Sequence, residues 1–379
     1  MAEALLLVAE SMTNGDMYAA SRFAASDPFV WIELEGRRIA VVTGFDVELA
    51  RRQSPADEVW SFEEVTTVER AAGASRRDVE LARVVNAVRR AGATSVRVPG
   101  WFPIEEAERL RGAGVAVRVD AADLKARRRV KSPDENAALR EIQAITEEGM
   151  VVIRDALRAA DVAADGILQL DGAPLTSERL HARVQRHWLE RGAEPTLPIV
   201  AGGAQGSDPH EHGHGPLRAH EPIVCDLFPR HATSRLFGDM TRTFSVGEPS
   251  PEVVAAHEAC EAEIVAAIAA ARAGVSGHEL NVLVADVFRD RGYPSQVHPD
   301  VPGTWIFNHG LGHGVGYEIH ESPNAGTSPS PPIDAGANLT IEPGLYRAGI
   351  GGCRIEDLVI FTADGCENLN RMDYALVVR

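Results

Sequence analysis

Three histidines crowd one glycine-rich stretch, Asn308–Glu321, which reads NHGLGHGVGYEIHE. His309, His313 and His320 are interleaved there with Gly310, Gly312, Gly314 and Gly316. Glycine lacks the bulk that holds backbones apart, so such a run can bring imidazoles close to a metal or a substrate. Two later stretches carry acids inside apolar, strand-like sequence. In LTIEPGLY, Leu339 and Ile341 face one side of a strand while Thr340 and Glu342 face the other. In CRIEDLVIF, Arg354 and Glu356 share a face by the same period of two. Upstream, IVCDLF places Asp226 at the end of an apolar run, and GDMTRTF places Asp239 at the start of another. Any one of these acids could cap a turn at a strand end. Together they ask for more, because a buried carboxylate is costly unless it is paired or bound to a cation. Four carboxylates and one imidazole are too acidic for a lone structural zinc, which favours Cys and His. They suit two divalent ions sharing bridging carboxylates. Oxygen-rich donors favour Mn²⁺ or a similar ion over thiophilic metals.

A second histidine cluster is a decoy. DPHEHGHGPLRAHEP, Asp208–Pro222, contains His210-Glu211-His212-Gly213-His214 and so satisfies the zinc pattern H-E-x-x-H. That pattern works only on a helix, where positions i and i+4 share a face. Pro209, Gly213, Gly215 and Pro216 punctuate the segment, and a helix interior loses about 1 kcal/mol for a Gly and about 3 for a Pro. The stretch is therefore expected to be a loop. His212 and His214 read locally as solvated loop residues, and His210 is left to the rest of the chain.

The elements that must position these residues divide at a basic stretch. Residues 1–128 alternate strand and helix signals. FVWIEL and RIAVVT are short strands joined by Glu-Gly, a hairpin signal. RDVELARVVNAVRRAG has Leu81, Val84, Val85 and Val88 at helical spacing and stops on Gly92. KARRRVKSPDE, Lys125–Glu135, reads as a polar boundary leading into a helix. Ser132 is its N-cap, Pro133 fits its first position, and Glu135 completes a capping box. Ser276 and Glu279 open another helix in the same way. With the strand-like runs PIVCDLF, MTRTFSV, NLTIEPGLY and RIEDLVIF, residues 133–379 predict an α+β domain, its helices covering one face of a mostly antiparallel sheet.

Bulk properties narrow the function class. The chain has 379 residues, enough for two domains with real cores. Its 38 basic and 55 acidic residues give a net charge of −17. That balance disfavours nonspecific binding to nucleic acid or an anionic membrane. Cys225, Cys260, Cys353 and Cys366 form no C-x-x-C pair and no disulfide framework. The start, MAEALLLVAES, lacks a basic n-region, and no apolar run reaches the roughly 18 residues of a membrane helix. The expected location is the cytoplasm.

The order Asp226, Asp239, His313, Glu342, Glu356, set in DMTRTF, HGLGHGVGYEIHE, IEPGLY and RIED, resembles the pita-bread metallopeptidases: methionyl aminopeptidase, aminopeptidase P and prolidase. The resemblance spans roughly residues 130–379 and, more loosely, a smaller N-terminal α/β creatinase-like domain. It implies that Asp226 chelates one ion, that Asp239 and Glu356 bridge two, and that His313 and Glu342 complete the second. It implies Mn²⁺, with Co²⁺ or Zn²⁺ as alternatives, and a homodimer. His320 and His210 correspond to the family's substrate-contacting histidines, and His212 could exchange roles with His210. His309 and Arg354 match the proline-specific branch, Xaa-Pro aminopeptidase and Xaa-Pro dipeptidase. The implied reaction is hydrolysis of an Xaa-Pro bond by a metal-bridging hydroxide, with Glu342 also moving the proton. One departure stands out: the step from Asp226 to Asp239 is 13 residues, where the family usually has 11. An even insertion kept in the turn preserves the facing of both acids. Three rival readings remain: a methionyl aminopeptidase, which needs neither His309 nor the N-terminal domain; a creatinase-type hydrolase of a non-peptide C–N bond, which lacks the full metal set; and a binding protein on a retired scaffold, which would have lost ligands.

Overall fold

The computed structural model of the chain describes residues 2–295 and 303–378. It divides into two compact units, Met1–Arg128 and Arg129–Arg379.

The first unit is built on six strands: β1 (Glu3–Ala9), β2 (Phe29–Leu34), β3 (Arg37–Val42), β4 (Glu58–Ser61), β5 (Ser95–Val98) and β6 (Ala116–Val119). Their order in the sheet is β4-β3-β2-β1-β5-β6. The hairpin between β2 and β3 turns on Glu35 and Gly36, both at positive φ (50° and 82°). Two such residues make the type I′ turn whose twist matches the strands it joins. The central strands are buried on both faces, with Leu5, Leu6, Leu7, Trp31 and Ile32 at 1% exposure or less. Helix α1 (Arg76–Ala91) packs Leu81, Val84, Val85 and Val88 inward and ends on Gly92 at φ 89°. Helices α2 (Ile104–Gly112) and α3 (Ala121–Arg129) follow. The basic stretch read as a polar boundary is thus helical up to Arg129. Its cations are not all solvated: the Arg128 guanidinium pairs with Asp16 at 2.9 Å, with both side chains 8% exposed.

The second unit opens on helix α4 (Pro133–Arg158). Ser132 and Glu135 form the expected reciprocal capping box, and Leu139, Ile142, Ile145 and Ile153 are buried along one stripe. Next come α5 (Ser177–Glu190), β7 (Ile199–Gly202), β8 (Ile223–Leu227) and β9 (Met240–Val246). Helices α6 (Pro251–Ala270) and α7 (Gly277–Asp290) precede β10 (Gly312–Gly314) and β11 (Glu321–Ala325). The chain ends with β12 (Asn338–Ile341), β13 (Gly344–Arg347), β14 (Gly351–Arg354), β15 (Asp357–Phe361), β16 (Cys366–Asn368) and β17 (Val377–Val378). The single sheet expected from sequence is instead several small ones: β7-β8-β9-β17, β10-β11, β12-β15-β16 and β13-β14. All of these pairings are antiparallel except β9 with β17.

The two strand-like acid stretches are each broken in the middle. Pro343 has no N–H to continue a ladder, so NLTIEPGLY splits into β12 and β13. CRIEDLVIF splits into β14 and β15. Strand β12 pairs with β15 while β13 pairs with β14, so both chains change sheets at the same level. Glu342 lies in one break and Glu356 in the other.

Candidate metal centre

Backbone bonds at the two breaks run sideways, one to Leu311 just before β10 and one into β9. The Glu342 N–H donates to Leu311 O at 2.8 Å, and the Glu356 N–H donates to Thr241 O at 3.0 Å. Each acid is thereby fixed from its own main chain. Strand β10 must lie very close to β12 for this to happen: a side-chain carbon on Gly312 would overlap the Thr340 carbonyl oxygen. Here the glycine run does the close-approach work read from its sequence.

Asp226 projects from β8, where it pairs with Thr241 of β9. Asp239 stands just before β9, gripped by Gln143 of α4. The Gln143 amide donates to Asp239 O at 2.6 Å and accepts from Asp239 N at 2.9 Å. The stretch from Asp226 to Asp239 makes an excursion between β8 and β9, in which Arg230 and His231 pair with Glu194 and Ala193.

These residues converge on one cavity of about 560 Å³. Asp226, Asp239, His313, Glu342 and Glu356 all line it, together with His210, His212, His309, His320 and Arg354. Its apolar wall is Ile199, Phe228 and Ile319. Donor atoms of Asp239, His313 and Glu356 lie within 4.8 Å of one another, the one such group among the described residues. His313 Nε2 is also 3.4 Å from Glu342 Oε1. Asp226 and Glu342 therefore share the cavity without belonging to that tightest cluster. His214 does not line the cavity, as the loop reading expected, whereas His212, read locally in the same way, does; Asp208–Pro222 contains no helix.

The protonation logic of the site asks for cations. Burial, then the charges of Glu356 and Asp226, pushes the Asp239 carboxyl well up. Burial, then Glu342 and Asp226, does the same to Glu356. Burial takes Glu342 up to about 8, against the pull of Arg354. His313 goes the other way: burial, with His320 beside it, lowers it to about 3, so its ring is neutral. Its Nδ1 lies 3.1 Å from Gly314 O, which accepts the ring proton and leaves a bare lone pair on Nε2. That lone pair faces the carboxylates of Asp239 at 3.7 Å and Glu342 at 3.4 Å. Two ionised carboxylates facing that lone pair repel it, so the arrangement needs a proton or a metal cation between them, and the raised carboxyls show the fold holding protons where metal would compete. Asp226 Oδ1 is likewise buried without a hydrogen-bond partner. The donor set fits divalent metal.

Arg354 balances part of this charge. Its NH2 donates to Asp226 Oδ2 at 2.7 Å, its Nε to Thr241 Oγ1 at 3.2 Å, and its NH1 to the Tyr346 hydroxyl at 2.8 Å. Burial alone would lower it, but Tyr346, Asp226 and Glu342 hold it well above its ordinary value. The Tyr346 hydroxyl stands 3.0 Å from His309 Nε2, while His309 Nδ1 is 2.7 Å from Gly310 O. Donation from Nδ1 to that carbonyl makes Nε2 the acceptor for tyrosine. Burial, then Arg354, lowers His309 to about 4. His320 packs its ring edge-on against His313 at 4.3 Å between centroids.

Three residues of the site escaped the sequence reading. Thr241 donates to Glu356 Oε2 at 2.7 Å; its signal was its place two residues after Asp239 on the same strand face. Tyr346 follows Glu342 by four residues in IEPGLY, where it reads as ordinary core. Gln143 had no local signal, because its partner lies 96 residues away.

A family model for metallopeptidase family M24 matches residues 137–363. Among curated relatives, the probable dipeptidase PepE of Mycobacterium tuberculosis is 30% identical over 240 residues, covering 63% of this chain and 59% of that protein. The Xaa-Pro dipeptidase of Pyrococcus horikoshii is 28% identical over 237 residues, covering 61% of this chain and 64% of that protein. The matches thus span about three fifths of the length of these relatives. Among solved structures, the X-Pro aminopeptidase of Thermotoga maritima superposes with a TM-score of 0.80 at 22% identity, over 100% of this chain and 98% of that one. The prolidase of Pyrococcus horikoshii gives 0.80 at 22%, over 99% and 95%. At these identities the structures speak for the fold, and the fold they share with this chain is the two-domain α+β pita-bread architecture.

Proposed function

Because the chain belongs to metallopeptidase family M24, we propose that it is a metal-dependent exopeptidase that hydrolyses the bond before proline in Xaa-Pro peptides. The observation that carries this reading is the convergence of four carboxylates and a neutral histidine on one cavity beside His309 and Arg354. Asp226, Asp239, His313, Glu342 and Glu356 would hold two divalent ions, Mn²⁺ being the one favoured by oxygen-rich donors. When bound, such ions supply deprotonated water at neutral pH and polarise a carbonyl.

The chain's own residues do the rest. Glu342 accepts the proton of the attacking water and delivers it to the leaving nitrogen. His320 and His210, on the cavity wall, donate N–H to the oxygen of the scissile carbonyl as negative charge develops there. Arg354 fixes the Asp226 carboxylate, and Tyr346 links Arg354 to His309. The prolyl nitrogen carries no hydrogen, so a site for it needs shape rather than an acceptor, and Ile199, Phe228 and Ile319 supply apolar wall. Water adds to the carbonyl carbon, the C–N bond breaks, and the products are a free carboxylate and the proline amine. The presence of all five donors weighs against a retired binding scaffold. No helix among the described residues is long and apolar enough to cross a membrane. All four cysteines are unpaired, which supports a reducing compartment such as the cytoplasm. The homodimer rests on the family resemblance alone.

The test is a matched peptide panel: Xaa-Pro, Xaa-Pro-Yaa and Xaa-Ala, offered to chelator-stripped protein with and without restored Mn²⁺ and read by mass spectrometry. Metal-dependent cutting before proline supports the proposal, and the dipeptide-to-tripeptide ratio separates prolidase from aminopeptidase P. Equal cutting of Xaa-Ala would remove the proline specificity.

A further inference from the structure

We infer that Lys131 is a positioning residue for His320, acting through a buried ion pair with Glu321; only its kinetic readout rests on the peptidase reading. Lys131 Nζ donates to Glu321 Oε2 at 2.9 Å, with the two side chains 2% and 1% exposed. Glu321 is covalently next to His320. Its other oxygen, Oε1, accepts from the Glu318 N–H at 3.0 Å, so one carboxylate spans the turn that ends in His320. The turn closes tightly over it: a side-chain carbon on Gly316 would overlap the Glu321 carboxylate. A second tie comes from Tyr317, whose hydroxyl donates to Glu135 Oε1 at 2.7 Å.

Both anchors belong to one short platform at the start of α4. The Lys131 N–H donates to Gly336 O at 3.3 Å, and Asn136 Nδ2 donates to Lys131 O at 3.3 Å. Glu135 is held by the capping box with Ser132. His320, by contrast, is exposed, and its ring is steadied from one side by the edge-on contact with His313. An exposed ring goes where its backbone points it. A desolvated ion pair has one geometry, and water cannot replace either partner. The pair therefore converts the rigidity of the α4 start into a fixed position for a histidine on the cavity wall. A pair serving stability alone would not need to sit on the residue beside that histidine.

The test is a double-mutant cycle. Lys131→Met combined with Glu321→Gln removes both charges at once, so no lone buried charge opposes folding, and Gln keeps an acceptor for the Glu318 N–H. This paired variant is made in the wild-type chain and in His320→Ala, loaded with Mn²⁺ and assayed on an Xaa-Pro dipeptide. A small displacement of a positioned group costs up to about a hundredfold. The expected result is a kcat lowered about tenfold or more, with KM within about threefold, in the wild-type background. In His320→Ala the paired change costs less than about twofold. Losses that multiply across the two backgrounds, or an unchanged kcat, would overturn the inference. Amide hydrogen exchange on the metal-free full chain reads the brace without any substrate. Exchange across residues 315–321 should rise about tenfold in the paired variant while β12 and β15 keep their protection. Unchanged exchange there would overturn the inference even if the protein cuts no Xaa-Pro peptide.

Discussion

Removing metal should make the protein less stable as the pH rises, and Glu342 gives the size of the effect. Its carboxyl stands at about 8 in the metal-free fold, against an ordinary 4.5, because burial penalises the charged form. A carboxyl raised on folding is protonated without penalty below pH 4.5. Above that, the unfolded chain ionises freely while the folded chain cannot, so stability is lost as the pH climbs from about 4.5 through about 8. At about 1.36 kcal/mol per pH unit, that gap caps the loss at about 5 kcal/mol. In a unit of this size about 1 kcal/mol moves Tm by roughly 2–4 °C, so the fall in Tm approaches roughly 10–20 °C. Asp239 and Glu356 shift in the same direction. Thermal melts of chelator-stripped protein at pH 5, 6, 7 and 8 would read it, with Glu342→Gln as the control because glutamine never ionises. The variant should match wild type at pH 5 and exceed it at pH 8, and saturating Mn²⁺ should reverse the wild-type slope, since metal competes with protons for the same oxygens. Identical pH slopes for stripped wild type and Glu342→Gln would refute the reasoning.

Other outcomes follow from single contacts. Gln143→Leu strips both backbone partners from Asp239; at about 1–3 kcal/mol for each of the two orphaned groups, denaturant melts should show a loss of about 2–6 kcal/mol, with weaker Mn²⁺ binding in titration calorimetry. Gly312→Ala meets the Thr340 carbonyl and should yield little folded protein, which circular dichroism and expression yield will report. His257 lies outside the site and is lowered by burial, then by Arg242, to about 4. Folded protein resists protonating it, so its stability contribution is present above pH 6.5 and lost as the pH falls towards 4. His257→Asn should therefore flatten the acid side of the stability curve, by at most about 3 kcal/mol.

What could be read from the chain alone follows from how local each signal is. The β2–β3 hairpin was legible because Glu35-Gly36 carries its own turn chemistry. The start of α4 was legible because Ser132, Pro133 and Glu135 encode the cap within four residues. The candidate ligands were legible because each sits in a short stretch whose residue types are odd for a core. The breaks at Glu342-Pro343 and Ile355-Glu356 were not read, since a period of two continues through both; only the partner strands show that the chain changes sheets there. Lys131 read as one more cation in a basic linker. Its burial depends on Glu321, 190 residues on, and no local pattern contains that distance. Gln143 and Tyr346 were silent for the same reason, as polar groups whose partners arrive only with the fold.

The claim on which the account depends is that these five residues hold metal. Equilibrium dialysis of stripped protein against Mn²⁺, with the bound ion counted by mass spectrometry, tests it most directly when wild type and Asp239→Asn are run side by side. The account predicts two ions per chain in the wild type, and at most one in Asp239→Asn with peptidase activity gone and the fold intact. A wild type that binds no ion while fully folded, or an Asp239→Asn variant that keeps both ions and its turnover, would contradict it.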